Sequence, residues 1–214
     1  MAKQNFVRMT SPRGTFIHPH LTEPDMKFPK NGIGSYHVKL ALDADEAAKL
    51  QDSLHPLLME FVQAGLNGRG EKIAPASLKK AAIAAIGEEE FDEDGNETGR
   101  FIFKFKLPEK VVLPSGKSWT LSPKLFDAAA KPILDKPAIW TGSEGKINFE
   151  VRPYFMETSK TFGLSLRVIG VQILKLVSGG GANAADMGFG AEEGYVSEGT
   201  DGGFEAEAED DSEF

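Results

Sequence analysis

Residues 182–214 set the first limit on what this chain can fold into. They hold eleven carboxylates (Asp186, Glu192, Glu193, Glu198, Asp201, Glu205, Glu207, Glu209, Asp210, Asp211 and Glu213) and no Lys, Arg or His. Such a stretch buries too little apolar surface to offset the entropy of ordering it, and so reads as a disordered arm. About 180 residues remain to build the fold, enough for one good-sized domain. The arm also splits the charge. Eleven of the 32 acidic residues lie in it, leaving 21 against all 24 basic residues in 1–181, a net of +3 beneath a whole-chain charge of −8. A weakly basic body beside an acidic arm points to a body that binds an anion and an arm able to imitate that anion.

Composition narrows the class further. With no cysteine there is no disulfide framework and no thiolate metal site, which fits a reducing compartment. No apolar run follows the first residues, so no secretory leader is expected. No stretch approaches the ~18 apolar residues of a membrane span. Residues 164–177 come nearest, but Arg167, Gly170, Gln172 and Lys175 interrupt them.

In chain order, residues 4–9 read as a short strand. Residues 10–35 read as a loop, because Pro12, Gly14, Pro19, Pro24, Pro29, Gly32 and Gly34 leave no room for a helix or central strand. Arg13, Phe16, His18, His20, Lys27, Phe28 and Lys30 interleave charge and ring there, a composition that can grip a nucleic-acid strand or simply tuck onto the body. No carboxylate is spaced with the histidines as a ligand set, so no metal is expected. Residues 36–42 alternate as a half-buried strand carrying Lys39 on its outer face. Asp43 or Asp45 caps a following amphipathic helix over 44–66, which Pro56 should kink or split. A second, alanine-rich helix is expected over 75–86. The acidic loop 88–99 holds Asp92, Asp94 and Asn96 around Gly95. It is an incomplete calcium loop and equally ordinary turn chemistry.

Residues 100–107 give the clearest strand. Phe101, Phe103 and Phe105 share one face, and Ile102, Lys104 and Lys106 the other. Phenylalanines in the core would leave lysines outward for a phosphate backbone. The reverse would offer the rings as stacking platforms for bases. Residues 111–113 and 117–121 form a hairpin about Pro114-Ser115-Gly116. Residues 122–130 fit a helical turn or a strand, and propensity favours the turn. Residues 146–155 and 164–177 make the last strand pair, with Gly170 marking a bulge. Five or six strands with one or two inserted helices predict a mainly β chain. The expected form is an OB-fold-like five-stranded barrel over 1–178, followed by a Gly-rich hinge and disordered acidic tail over 179–214.

Four features together resemble the single-stranded DNA-binding (helix-destabilising) proteins of short-tailed bacteriophages. They are Phe103-Lys104-Phe105-Lys106; Gly145-Lys146-Ile147 leading to Val151-Arg152-Pro153-Tyr154; the strand from Leu164 followed by Gly179-Gly180-Gly181; and the acidic tail closing on Phe214. The resemblance covers about Arg100 onward and holds only in outline before it. It implies an OB-fold that coats single strands without strong sequence preference in replication, recombination and repair, and that promotes annealing. It implies a homodimer in the cytoplasm of an infected bacterium, with no cofactor. It further implies a tail, here Asp210, Asp211, Glu213 and Phe214, that contacts the phage DNA polymerase and helicase-primase and competes with DNA. Tyr154 resembles a base-stacking position, and Lys104, Lys106, Lys146 and Arg152 resemble groove cations. With Lys39, Phe103, Phe105 and Lys160 they complete the candidate DNA contacts. The lysine-rich region is thinner here than in the family. No nucleotide-binding loop, nucleophile motif or metal-ligand cluster points to an enzyme. The rival reading is a virion-assembly or DNA-mimic protein that ignores DNA.

Overall fold

The computed structural model describes residues 6–113 and 115–178, with Phe28 and Lys30 by backbone alone. The chain divides into two units, Met1–Val177 and Ser178–Phe214. The expected hinge and tail, residues 179–214, lie outside the described residues. So do the tail positions Asp210, Asp211, Glu213 and Phe214.

The described chain is mainly β. In order it forms β1 (Arg8–Thr10), β2 (Gly14–Lys30), β3 (Ile33–Asp43), α1 (Ala44–Ala64), α2 (Pro75–Leu78), β4 (Ala82–Ile83), β5 (Glu88–Phe91) and β6 (Glu97–Pro108). There follow β7 (Lys110–Val112), β8 (Ser118–Thr120), β9 (Lys124–Phe126), β10 (Glu144–Met156) and β11 (Thr161–Lys175). Five long strands close on themselves. β2 pairs with β3, β3 with β6, β6 with β11 in parallel, β11 with β10, and β10 again with β2. This ring is the OB-fold-like barrel, and β1, β4, β5 and β9 extend it at its edges. β7 and β8 make the expected separate hairpin.

Period-two alternation fills the barrel. Phe16, Val38, Leu40, Leu42, Phe103, Phe105, Ile147, Phe149, Val151 and Val168 are at most 1 % exposed. The Phe105 and Phe149 rings meet edge to face with centroids 5.1 Å apart, a favoured aromatic geometry. Helix α1 lays Ala47, Leu50 and Leu54 on this core. Its Asp43 cap accepts a hydrogen bond from the Glu46 amide at 2.9 Å, and Gly65 ends it in the left-handed region. Among the described residues no helix is long and apolar enough to cross a membrane.

The structure corrects several sequence expectations. Residues 10–35 are not a loop but half of a long hairpin. Asn31 and Gly32, at φ 55° and 73°, make the tight turn between the paired Lys30 and Ile33. The prolines survive because the register slips between Ile17 and His20, His20 and Asp25, and Asp25 and Lys30. Pro19, Pro24 and Pro29 each fall in one of these unpaired stretches, where no ladder amide is needed. Helix α1 runs through Pro56 unbroken. Pro56 and Asp52, whose carbonyl the missing N–H leaves free, both lie on the exposed face. The second helix stops after Leu78. Ala82–Ile83 instead pairs with β11, because short alanine side chains give a helix little to bury. Residues 124–126 are the strand alternative, with Leu125 buried beside β11.

The barrel closes where Gly14 faces Gly145. A Cβ on Gly14 would lie 2.5 Å from the Ala41 carbonyl oxygen, and one on Gly145 would lie 2.6 Å from the Phe16 ring and into the Gln172 carbonyl. Gly145→Ala is therefore expected to cost about 1–3 kcal/mol through overpacking. Urea unfolding of the variant checks it, and an unchanged midpoint would mean the seam is not a tight constraint.

Candidate nucleic-acid interface

Because the apolar side chains point inward, every second residue of the ring strands points out. The registers of six strands align one of these outward positions into a row. Arg8 on β1 faces Glu150 on β10, Glu150 faces Arg167 on β11, and Arg167 faces Lys106 on β6. Lys106 then faces His37 on β3, and His37 faces His20 on β2. Adjacent strands are about 4.8 Å apart, so the row spans the distance of several phosphates.

Glu150 organises one end. It is 9 % exposed. One carboxylate oxygen accepts from Arg8 Nη2 at 3.0 Å and the other from Arg152 Nη2 at 2.9 Å. The Arg152 guanidinium also lies 4.3 Å from the Phe6 ring centroid, a cation–π contact. Burial pushes the Glu150 carboxyl up, but the Arg152 and Arg8 hydrogen bonds outweigh it and hold it below its ordinary value. Burial and the neighbouring Arg152 charge lower Arg167, while Glu150 opposes them. The Nε atoms of Arg152 and Arg167 are buried without a hydrogen-bond partner. Two guanidiniums held by one carboxylate, with that of Arg167 beside them, suit phosphate oxygens.

The sequence-predicted residues distribute unevenly. Lys39 and Lys104 are directly paired across β3 and β6, and Lys106 and Arg152 lie in or beside the row. Lys104 is held by both oxygens of Glu88, at 2.7 and 2.6 Å, an exposed pair that a competing anion can open at little cost. Tyr154 lies across from Gly163, where a Cβ would sit 2.6 Å from Tyr154 Cζ. The ring therefore packs on bare backbone. Tyr154 shares a cleft of about 310 Å³ with Lys104, Ile102 and residues 84–88. Lys146 lies apart, in a second cleft with Thr10, Lys124, Phe126 and Gln172. Lys160 is in the β10–β11 turn, bonded to Glu157.

Phe103 and Phe105 are corrected outright as stacking surfaces. At 1 % and 0 % exposure they have no face to offer a base, because barrel closure puts their side of β6 inside. Phe16 is buried likewise. Among the described residues the large exposed rings are instead Trp119, Trp140 and Phe91. Arg8, Glu150 and Arg167 were missed as members of the site. Arg167 stands in the alternating pattern of β11, but only the cross-strand register shows that it meets Glu150 and Lys106.

No protein-family model matches the chain, and no curated protein matches it. Solved structures do. The bacteriophage T7 single-stranded DNA-binding protein gp2.5 superposes with a TM-score of 0.63 at 21 % identity, over 90 % of this chain and 100 % of that one. The single-stranded DNA-binding protein of bacteriophage Enc34 in complex with single-stranded DNA gives 0.51 at 12 % identity, over 81 % and 89 %. Its C-terminally truncated form gives 0.50 at 12 %, over 78 % and 86 %. The chain shares the fold of these phage proteins.

The Glu150 arrangement has a pH signature. A carboxyl lowered on folding stabilises the native state fully above its ordinary value of 4.5. That stabilisation is lost as pH falls through the native value. Glu150→Gln should lower stability at pH 7 by about 1–2 kcal/mol, less than a fully buried pair because both arginines are partly exposed. Its stability should also fall less than that of the parent between pH 5 and pH 3 (roughly the window of the shift). Urea midpoints at the two pH values check this, and parallel losses in both proteins would exclude Glu150 as the titrating group.

Proposed function

We infer that this chain is a single-stranded DNA-binding protein of phage DNA metabolism that acts by binding rather than catalysis. The observation that carries the reading is the outward row of Arg8, Arg167 and Lys106 with Arg152 and Lys39 beside it, on a barrel of the OB type. The shared fold with phage proteins whose structures are described as single-stranded DNA-binding supports it. Cations set on neighbouring strands contact the backbone without reading sequence, and nearby rings supply stacking. Tyr154 is the ring suited to stack a base beside Lys104, with which it shares a cleft, and Lys39, Lys106, Lys146, Arg152 and Lys160 are backbone contacts in this reading.

The domain of residues 1–178 binds the strand. The segment 179–214 acts as a tethered polyanion. A tether of this length holds it at around millimolar local concentration, where its carboxylates compete with DNA for the same cations. DNA binding then frees Asp210, Asp211, Glu213 and Phe214 for replication partners, a DNA polymerase and a helicase-primase. Homodimerisation and a cytoplasmic site of action in an infected bacterium complete the reading.

The deciding measurement is fluorescence anisotropy of a labelled pyrimidine oligonucleotide, with the full chain and with residues 1–178. The truncated protein should bind more tightly at low salt. With about four phosphates neutralised, log Kd should change with log salt by about 3, from ~0.7 per contact on single strands. Arg167→Ala should weaken binding and reduce that slope by roughly one contact. Equal affinity of the two proteins removes the tail competition. No binding by either would favour an assembly or DNA-mimic role.

A further inference from the structure

We propose that His20, Asp25 and His37 form a binding site for a divalent transition-metal ion of the zinc class. The proposal goes beyond the DNA-binding reading and does not depend on it. The three residues come from one hairpin. His20 and His37 are register partners on β2 and β3, and their ring centroids are 4.7 Å apart. Residues 21–24 then bulge out of the ladder, so that Asp25 returns to pair with Ser35, two residues from His37. The Lys27 amide donates to Asp25 Oδ1 at 2.7 Å. This fixes the carboxylate and leaves Oδ2 4.0 Å from His37 Nε2. One ligand atom from each residue lies within 4.8 Å of the other two, and among the described residues this is the one group of three that meets that condition.

The donor chemistry selects the ion. Two imidazole nitrogens and one carboxylate oxygen suit zinc, cobalt, nickel or copper, whereas magnesium and calcium prefer all-oxygen sets. Bonds of about 2.0–2.1 Å put tetrahedral ligand atoms about 3.4 Å apart. The His37–Asp25 separation must therefore close by about 0.6 Å and the widest by about 1.4 Å. His37 and Asp25 are about three-quarters buried, with side chains 24 % and 25 % exposed, and supply a steady base. His20 is exposed, and rotation of its ring makes most of the adjustment. Three protein ligands leave a fourth position open to water or an anion. Lys106, opposite His37, works against a bound cation, and Asp25 offsets it.

The hairpin explains why the sequence hides the site. Two histidines seventeen residues apart with a lone aspartate between them match no ligand spacing. The two-residue turn at Asn31-Gly32 and the bulge in β2 together create the set.

The test uses the full chain freed of metal and titrated with cobalt(II), followed by visible absorption. The expected result is an intense low-coordinate band that saturates at one equivalent and disappears when zinc is added. The H20A/H37A double variant and His37→Gln should lose the band, and Asp25→Asn should need more cobalt to reach it. Both histidine variants keep the acidic segment 179–214, so they control for weak binding by its carboxylates. A band of equal strength in the double variant, or none in the parent, overturns the site. In case a variant fails to fold, imidazole resonances of the parent provide the second measurement. Zinc should shift those of His20 and His37 and leave His18 and His55 in place, and uniform or absent shifts overturn the proposal. No nucleic acid enters either experiment, so its failure is distinguishable from failure of the DNA-binding reading.

Discussion

Closure of the β2–β10 seam is the constraint on which the rest depends. Two residue pairs, Gly14 with Gly145 and Thr15 with Glu144, join the first ring strand to the fourth. The Phe16 amide adds a hydrogen bond to the Ser143 carbonyl at 2.7 Å. Such close backbone approach leaves no space for a side chain, and glycine meets that need at an entropic cost. Once the seam is shut, each ring strand has one dry face and one wet face. The alternation of core and surface residues along the ring strands follows from that division. An open sheet of the same strands would expose one row of phenylalanines, and the ambiguity at Phe103 and Phe105 would be a real one.

The wet face shows how charge is held in place. Lysines on exposed strand positions carry their charge on flexible stems, and Lys104 is already drawn to Glu88. Arginines behave differently here. Glu150 binds Arg8 and Arg152 through separate oxygens, so both planes are set before any ligand arrives. The arrangement sacrifices one unit of positive charge for fixed geometry. Fixed donors lose less entropy when they bind, and the neighbouring Arg167 gains a local counter-charge. Glu150 is thus a positioning residue for the cationic row.

Much of this was legible in the residues. Strands β6, β10 and β11 announce themselves by alternation, and α1 by its apolar stripe and Asp43 cap. The barrel class followed from strand number and helix placement. What was not legible depends on contacts distant in sequence. β2 looked like a loop because prolines argue against a strand, and only the slipped register shows where they are tolerated. The Asn31-Gly32 dipeptide was the available signal and was outweighed by proline count. α2 and β9 went the other way from local propensity because pairing with β11 decided them. In the site, period two put Lys104 and Lys106 on one face of β6 and Lys39 on the polar face of β3, while burial of Phe103 and Phe105 decided which face of β6 is outward. The row through Arg8, Glu150 and Arg167 was not, since it exists only in the cross-strand register.

That register also explains why the row has two chemically different ends. At the β10 end a carboxylate sits among guanidiniums, and the charge is permanent. At the β2 end, burial, His20 and Lys106 lower the His37 pKa, while Asp25 raises it, so the imidazole carries little charge at neutral pH. The permanent positive run therefore stops at Lys106, two strands short of the hairpin edge. An anionic strand crossing the barrel would meet fixed guanidiniums on one side and the weakly charged His37 on the other. A divalent ion on His20, Asp25 and His37 would reverse that inequality. It would add two positive charges beside Lys106 and present an open coordination position to a phosphate oxygen. The hairpin end of the row, where histidines stand in place of Lys or Arg, is the end suited to acquire charge from solution.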